Sequence, residues 1–127
     1  MFPLKYEFLN AKVKKLYNDS LNIDKNNSFI LKNPENIVLK NSNLTLIKLK
    51  VSIDLSVFEN ALLIETFTSK YLLNNKCVVV PKMIDSKETK ELQICIHNYA
   101  KEEFFLEEGS ELLNCYILDN SKILKIV

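Results

Sequence analysis

Hydrophobic and polar residues alternate along much of this chain with the period of two that is typical of a half-buried β-strand. The clearest case runs from residue 47 to residue 55, where five aliphatic residues are separated by lysine, serine and aspartate. Similar, shorter patterns predict further strands at residues 4–9, 29–31, 37–39, 61–67, 77–80, 92–97, 104–106, 112–118 and 123–127. The pattern therefore predicts many short strands.

Clusters of Asn, Asp, Ser, Lys and Pro separate these segments, as expected for turns. Helix is expected only as a turn or two, near residues 12–17 and 68–73. Ten short strands joined by turns indicate an all-β sandwich, jelly roll or barrel. A chain of 127 residues is long enough for one sizeable core, so a single domain spanning residues 1–127 is predicted.

The composition, 47% hydrophobic and 26% charged, is that of a folded globular protein. No stretch approaches 18 uninterrupted apolar residues, and the first residues lack the apolar core of a signal peptide. We expect no membrane partner and a location in the cytoplasm or nucleus of a cell. Three widely spaced cysteines, Cys77, Cys95 and Cys115, are expected to be reduced and buried, without a disulfide.

All 17 basic residues are lysine, and the net charge is only +1. Arginine, which contacts bases and phosphates in a bidentate manner, is absent, so no nucleic-acid partner is predicted.

The only glycine is Gly109. Phosphate loops and nucleophile elbows need at least two glycines and are excluded. Between the strands at 104–106 and 112–118 the chain must reverse, and Gly109 is expected to supply positive φ there.

Two groups of residues have the residue types of a metal or catalytic site but lack one of its sequence requirements. The single histidine, His97, lies two residues from Cys95, but the short Cys-x2-4-Cys spacing of zinc sites is missing, so three core thiols are the better interpretation. Asp24, Asn26, Ser28 and Glu35 have calcium-loop spacing, yet Phe29 occupies the position that needs glycine. We interpret this stretch as a loop followed by a strand, and predict no metal or cofactor.

Three pieces follow one another downstream: IDS at residues 84–86, LQICIHN at residues 92–98 and FFLEEGSELLN at residues 104–114. In order and spacing they resemble the trimeric dUTPase pattern that runs from IDSDYRG to KGDRIAQ. Upstream, TSK at residues 68–70 stands where that family has Arg-Ser-Gly, and SFILKN at residues 28–33 resembles its GYDLYS. The resemblance covers roughly residues 4–118. It implies a dUTPase-like β-sandwich or jelly-roll barrel.

The family hydrolyses dUTP to dUMP and pyrophosphate, with magnesium, in sites shared between three subunits. The resemblance therefore implies a homotrimer. It also assigns a set of family pocket positions to this chain: Ile30, Thr68, Ser69, Asp85, Glu88, Gly109 and Asn114.

Only Ser69, Asp85 and Gly109 keep the family residue at these positions. The aspartate at position 85 corresponds to the one that positions the attacking water. Ile30 replaces an acidic residue, Thr68 an arginine, Glu88 the tyrosine under the deoxyribose, and Asn114 the phosphate-binding glutamine.

A triphosphate needs fixed cations and backbone amides, whereas Glu88 and Glu111 would repel it. No glycine follows Gly109, so the glycine-rich fifth motif is missing. We therefore predict a pseudoenzyme with no catalytic residues, in which the seven positions are vestigial.

The predicted function is that of a dUTPase-derived viral protein that binds host or viral proteins and modulates host signalling. The chain resembles the adenoviral early-region-four protein of the first reading frame, which has this fold with eroded motifs and binds PDZ proteins. The ending Leu124-Lys125-Ile126-Val127 is not a class I PDZ ligand, since lysine stands at the third position from the end. Alternatives are an active or residual dUTP diphosphatase and a structural assembly component.

The last apolar segment is interpreted as a strand for pairing or oligomerisation, formed by Ile123, Leu124, Ile126 and Val127.

Overall fold

The computed structural model describes residues 4–56, 61–85 and 89–119. Ten strands and two short helices follow one another in the described part of the chain. Neither helix, of six and five residues, is long enough to cross a membrane, and none of the described residues forms one that is.

Two four-stranded antiparallel sheets and a two-stranded sheet contain all ten strands. The first sheet has the order β1 (Lys5–Phe8), β4 (Leu44–Asp54), β8 (Thr89–Asn98) and β6 (Cys77–Val79). The second has the order β2 (Ser28–Lys32), β10 (Glu111–Asp119), β5 (Ala61–Thr68) and β7 (Lys82–Asp85). The third pairs β3 (Ile37–Leu39) with β9 (Phe104–Leu106). The all-β prediction is confirmed.

The core lies between the two larger sheets, because buried side chains of both sheets belong to one hydrophobic cluster. Along β4 the alternation seen in the sequence places Ile47, Leu49, Val51 and Ile53 in the core. Leu31, Leu63 and Leu113 enter the same cluster from the second sheet. The residues that alternate with these buried ones face outward. The outer face of the second sheet carries the candidate site.

The helices begin where the sequence offers a capping side chain. Asn10 Oδ1 accepts a hydrogen bond from Val13 N at 2.8 Å and starts α1 (Ala11–Leu16). Ser69 Oγ accepts one from Leu72 N at 3.2 Å and starts α2 (Lys70–Asn74). Such caps satisfy backbone N–H groups that have no partner within the helix. Both short helices that the sequence predicts are present.

Gly109 has a φ of +85°, as the sequence predicts. Its N–H donates to Asn33 O at 2.8 Å, and a Cβ there would lie 3.6 Å from Leu16 Cδ2. The turn differs from the prediction in one respect: β9 and β10 do not pair with each other, so it connects two sheets and closes no hairpin. Six described residues other than glycine also have positive φ: Asn18, Asp19, Asn27, Ser42, Lys50 and Lys76.

Candidate functional site

A groove crosses the outer face of the second sheet over β2, β10 and β5. It consists of two cavities that share one ridge, formed by Ile30, Glu111 and Asn114. The first, here called the apolar cavity, has a volume of about 310 Å³. Beyond the ridge residues it is lined by Phe67, Thr68, Ser69, Lys70, Tyr71 and Leu113.

The second, the polar cavity, has a volume of about 330 Å³. Beyond the ridge it is lined by Tyr17, Asn18, Ser20, Asn22, Asp24, Ser28, Phe29 and Lys32.

Strand pairing determines which side chains form the ridge and which lie beside it. Asn114 on β10 is paired with Ile30 on β2 and with Phe67 on β5. The three side chains therefore stand side by side on one face, and Ile30 is 40% and Phe67 57% exposed. Phe67 also packs against Tyr116, with ring centroids 5.7 Å apart. This arrangement gives the groove an apolar floor that is open to solvent.

A β-bulge in β5 is the reason why Phe67 faces outward. Cys115 pairs with Glu65, whereas the adjacent Asn114 pairs with Phe67, so β5 contains one extra residue at this point. Without the bulge, Glu65 and Phe67 would point to the same side of the sheet. Instead Glu65 is fully buried and Phe67 is largely exposed. Bulges recur next to functional sites, where they re-aim a side chain.

The carboxyl group of Glu65 lies behind the groove, without a hydrogen-bond partner for either oxygen. Burial raises its pKa from 4.5 to about 7, and the positive charge of Lys82 opposes that rise. Burial also raises the pKa of the neighbouring Cys115 thiol, and Glu65 adds to the effect. Since an unpartnered buried carboxyl is costly in either protonation state, this position is unfavourable for stability.

Asn114 is held in one orientation on the ridge. Ser28 Oγ donates a hydrogen bond to Asn114 Oδ1 at 2.6 Å, and the amide Nδ2 has no partner among the described residues. Ser28 is held in turn, because its N–H donates to Asp24 Oδ1 at 3.0 Å. Asp24 Oδ1 also accepts a hydrogen bond from Asn26 N at 2.8 Å. Asp24 thus closes a turn directly before β2, in line with the loop-and-strand interpretation of this stretch.

The hydroxyl groups of Thr68 and Ser69 have structural partners. Thr68 Oγ1 accepts a hydrogen bond from Val79 N at 2.9 Å, and Ser69 Oγ caps α2. Both residues nevertheless line the apolar cavity, together with Lys70. The position that the resemblance assigns to phosphate binding therefore lies within the groove.

The structure unites some of the family pocket positions and separates others. Ile30, Thr68, Ser69 and Asn114 meet in the apolar cavity. Asp85 ends β7 opposite Leu62, which is five residues, or roughly 16 Å of strand, from Phe67. Gly109 lies at the turn before β10. Glu88 and the C-terminal residues Ile123, Leu124, Ile126 and Val127 lie outside the described part of the chain.

The cysteines and the histidine do not converge on one site. Cys77 and Cys115 are fully buried, on different sheets, whereas Cys95 is only partly buried. All three are free thiols. Among the residues that the structure describes, no group of three or more His, Cys, Asp or Glu could hold a metal ion.

The sequence reasoning missed the two most informative residues of this site, Glu65 and Phe67. The sequence pattern places Phe67 in a predicted strand at residues 61–67 but does not indicate which way its side chain faces. The available signal was a glutamate inside a largely apolar segment, which conflicts with the surrounding pattern.

Solved structures with a similar fold include phage dUTPases. The dUTPase from phage phi11 of S. aureus is 16% identical to this chain, with a TM-score of 0.75, over 93% of this chain and 90% of that one. The dUTPase of Staphylococcus bacteriophage 80alpha is 16% identical, with a TM-score of 0.75, over 91% and 89%. A mutant of the 80alpha enzyme with dUpNHpp is 15% identical, with a TM-score of 0.75, over 94% and 83%.

No protein-family model matches the sequence, and no curated protein matches it. The structural likeness shows that this chain has the dUTPase fold.

The prediction that this chain is not an enzyme is corrected by these structures. It was based on substitutions at motif positions, such as Thr68 and Asn114, on repulsion of the triphosphate by glutamates, and on the missing fifth motif. The solved proteins that share the fold over more than nine-tenths of this chain are dUTPases, and one of them is described with dUpNHpp. The structural likeness therefore does not exclude nucleotide hydrolysis by this chain.

Proposed function

We propose that this dUTPase-fold protein acts by binding other proteins through the groove on the outer face of its second sheet. The single observation that carries the proposal is the bulge in β5, which exposes Phe67 at the cost of a buried, unpartnered Glu65. A regular strand would bury the aromatic ring. Local departures from regular geometry that lower stability are concentrated at functional sites.

The surface around Phe67 has the character of a protein-binding site. Ile30 and Tyr71, 40% and 38% exposed, line the apolar cavity together with Phe67. Exposed apolar groups that form a continuous patch with polar groups at the edge mark interaction surfaces. Aromatic side chains contribute most at such surfaces because they bury a large area.

The similar phage proteins support a regulatory role for the fold. Phage dUTPases control transfer of virulence genes by a proto-oncogenic G protein-like mechanism. In the phage 80 dUTPase, the enzymatic activity has been linked to the capacity to induce SaPI. By analogy, we place this chain among viral regulators that bind host or viral proteins inside the infected cell. The adenoviral likeness fits the same role and stays a prediction.

Two phenylalanines provide a matched test of this proposal. Phe67 is 57% exposed in the groove, and Phe105 is 52% exposed on β9, in another sheet. The tagged full-length Phe105→Ser variant should capture as much partner protein as the wild type. The Phe67→Ser variant should capture at least tenfold less. Equal capture by both variants, with both folded, would show that the groove is not the contact surface.

Nucleotide hydrolysis is the second candidate, because Ser69, Lys70 and Asn114 line one cavity at the family's phosphate position. Asp85 lies roughly 16 Å along the sheet from Phe67, so one chain does not bring these groups together. A complete site would take Asp85 from a second copy, as in a homotrimer. Light scattering should then give three times 14.8 kDa.

Complementation between two variants tests the shared site directly. With dUTP and magnesium, pyrophosphate release of about 1 per second or more would support hydrolysis. Asp85→Asn and Ser69→Ala should each lower that rate at least tenfold. Mixing the two variants through an unfolding and refolding step should restore part of it, since some sites then combine intact Asp85 and Ser69. Failure to restore activity would argue against a site shared between copies.

A further inference from the structure

The groove offers two different environments on either side of a ridge. On one side the apolar cavity is bordered by Phe67 and Tyr71, and on the other the polar cavity is bordered by Asp24 and Lys32. The floor of the groove crosses neighbouring strands about 4.8 Å apart. A ligand that spans both cavities must therefore change from apolar to polar over about 7–10 Å.

The ridge between the cavities carries a hydrogen-bond donor in a fixed direction. Ser28 Oγ occupies Asn114 Oδ1 at 2.6 Å, so the unpaired group is the Nδ2 amide. A primary amide whose oxygen is already bound recognises a carbonyl oxygen. In an extended peptide such a carbonyl occurs at every residue, which makes Asn114 suited to bind main chain between two side-chain pockets.

Two carboxylates give the polar cavity a negative charge on the side that faces solvent. Lys32 Nζ donates to Leu16 O at 3.0 Å and lies 5.6 Å from the centroid of the Tyr17 ring, so its charge is held against this chain. The carboxylates of Asp24 and Glu111, both exposed, remain at the two sides of the cavity. A basic side chain from outside would complement them.

We infer that the groove binds an extended segment of a partner protein with an apolar side chain in the apolar cavity and a lysine or arginine in the polar cavity. The main-chain carbonyl between them accepts a hydrogen bond from Asn114 Nδ2. Side chains on one side of an extended chain recur every second residue, about 6.6 Å apart, so the expected motif is apolar-x-basic. This inference rests on the proposed function, since it names the partner chemistry of the same groove.

A positional-scanning library of synthetic extended peptides, tested on the full-length protein, measures this specificity. The expected result is enrichment of Leu, Ile, Phe or Tyr at one position and of Lys or Arg two positions later. Glu111→Lys should reverse the preference at the second position, with at least a tenfold loss for the best basic peptide. Phe67→Ser should remove the preference at the first position, and Phe105→Ser should change neither.

Asn114→Asp tests the main-chain contact, because aspartate keeps the acceptor for Ser28 and removes the amide donor. It should lower affinity about tenfold for peptides that carry the apolar residue without the basic one, on which the added negative charge has no favourable effect, while the side-chain preferences persist. Absence of enrichment, enrichment of acidic residues, or preferences untouched by Glu111→Lys would overturn the inference. If Phe67→Ser still abolishes partner capture in that case, the proposed function stands without this specificity. If partner capture is also unaffected, both fail.

Discussion

Asn98 in the first sheet and Glu65 in the second are both fully buried polar side chains, but they differ in their hydrogen bonding. Asn98, at the end of β8, donates through Nδ2 to Leu39 O and to Glu102 O, both at 3.0 Å, and accepts from Ala100 N at 3.0 Å. Glu65, beside the bulge in β5, has no hydrogen-bond partner among the described residues. The amide of Asn98 binds a loop to the first sheet, whereas the carboxyl of Glu65 forms no such hydrogen bond and interacts with the charge of Lys82. The contrast separates a structural polar group from one that accompanies a site.

The largest expected effect comes from breaking the Asn98 network. Asn98→Ala leaves two carbonyls and one N–H without partners, so the free energy of unfolding should fall by roughly 3–4 kcal/mol. Denaturant titration measures this change. Asn75→Ala is the matched control, because Asn75 Nδ2 also donates to a carbonyl, Tyr71 O, at 2.8 Å but in an exposed place. A loss below about 1 kcal/mol for Asn98→Ala would show that water replaces the network.

The second effect is a pH dependence that belongs to Glu65. Its pKa is about 7 in the folded protein and 4.5 in the reference state, so folding favours the protonated form. Stability is full below pH 4.5 and falls as the pH rises through 7, by about 3 kcal/mol in total.

Denaturation of wild type and Glu65→Gln from pH 5 to pH 8 should show a difference that closes at low pH and opens at high pH. Glu103→Gln serves as the control, since Glu103 pairs with Lys40 at the surface. Parallel curves for wild type and Glu65→Gln would mean that Glu65 has a normal pKa.

A third effect, of about 1–2 kcal/mol, is expected at the turn that contains Gly109. Gly109→Val must place a branched residue at a φ of +85°. The nearest atom to a new Cβ is Leu16 Cδ2 at 3.6 Å, an ordinary contact, so the backbone conformation causes the loss. Thermal unfolding should show a lower midpoint, and an unchanged midpoint would mean that the turn adapts freely.

The smallest expected effect on stability is that of removing the exposed ring of Phe67. Phe67→Ser should change the free energy of unfolding by less than about 0.5 kcal/mol, because the ring is more than half exposed. Leu63→Ser, fully buried on the same strand, should cost several kcal/mol. If Phe67→Ser destabilises the protein as much as Leu63→Ser, the ring belongs to the core and the groove is not built for a partner.

Most strands could be predicted from the sequence, because their burial follows a simple alternation. In β4 one side of the strand faces the core over its whole second half, and the pattern from Ile47 to Ile53 records it directly. Asn10 and Ser69 cap helices where short helices were expected. The strand β7 was not delimited, since Lys82–Asp85 is a four-residue edge strand with an exposed Met83. Four residues carry too little periodicity to be distinguished from a turn.

The candidate site was less accessible to sequence reasoning. The resemblance named Ile30, Thr68, Ser69 and Asn114, which do lie together, but it could not reveal the bulge. A bulge is decided by how β5 pairs with β10, and no local pattern in residues 61–68 encodes that pairing. The single domain, the seven vestigial positions and the C-terminal pairing strand remain predictions.

The scarcity of glycine also affects the unfolded chain. At Ser42, Lys50 and Lys76 the backbone takes a left-handed conformation without the residue that adopts it most readily. Each such residue costs the native state roughly 1 kcal/mol, but a side chain also narrows the conformations open to the denatured ensemble. With one glycine in 127 residues, the polypeptide loses less entropy per turn on folding than a glycine-rich chain of equal length.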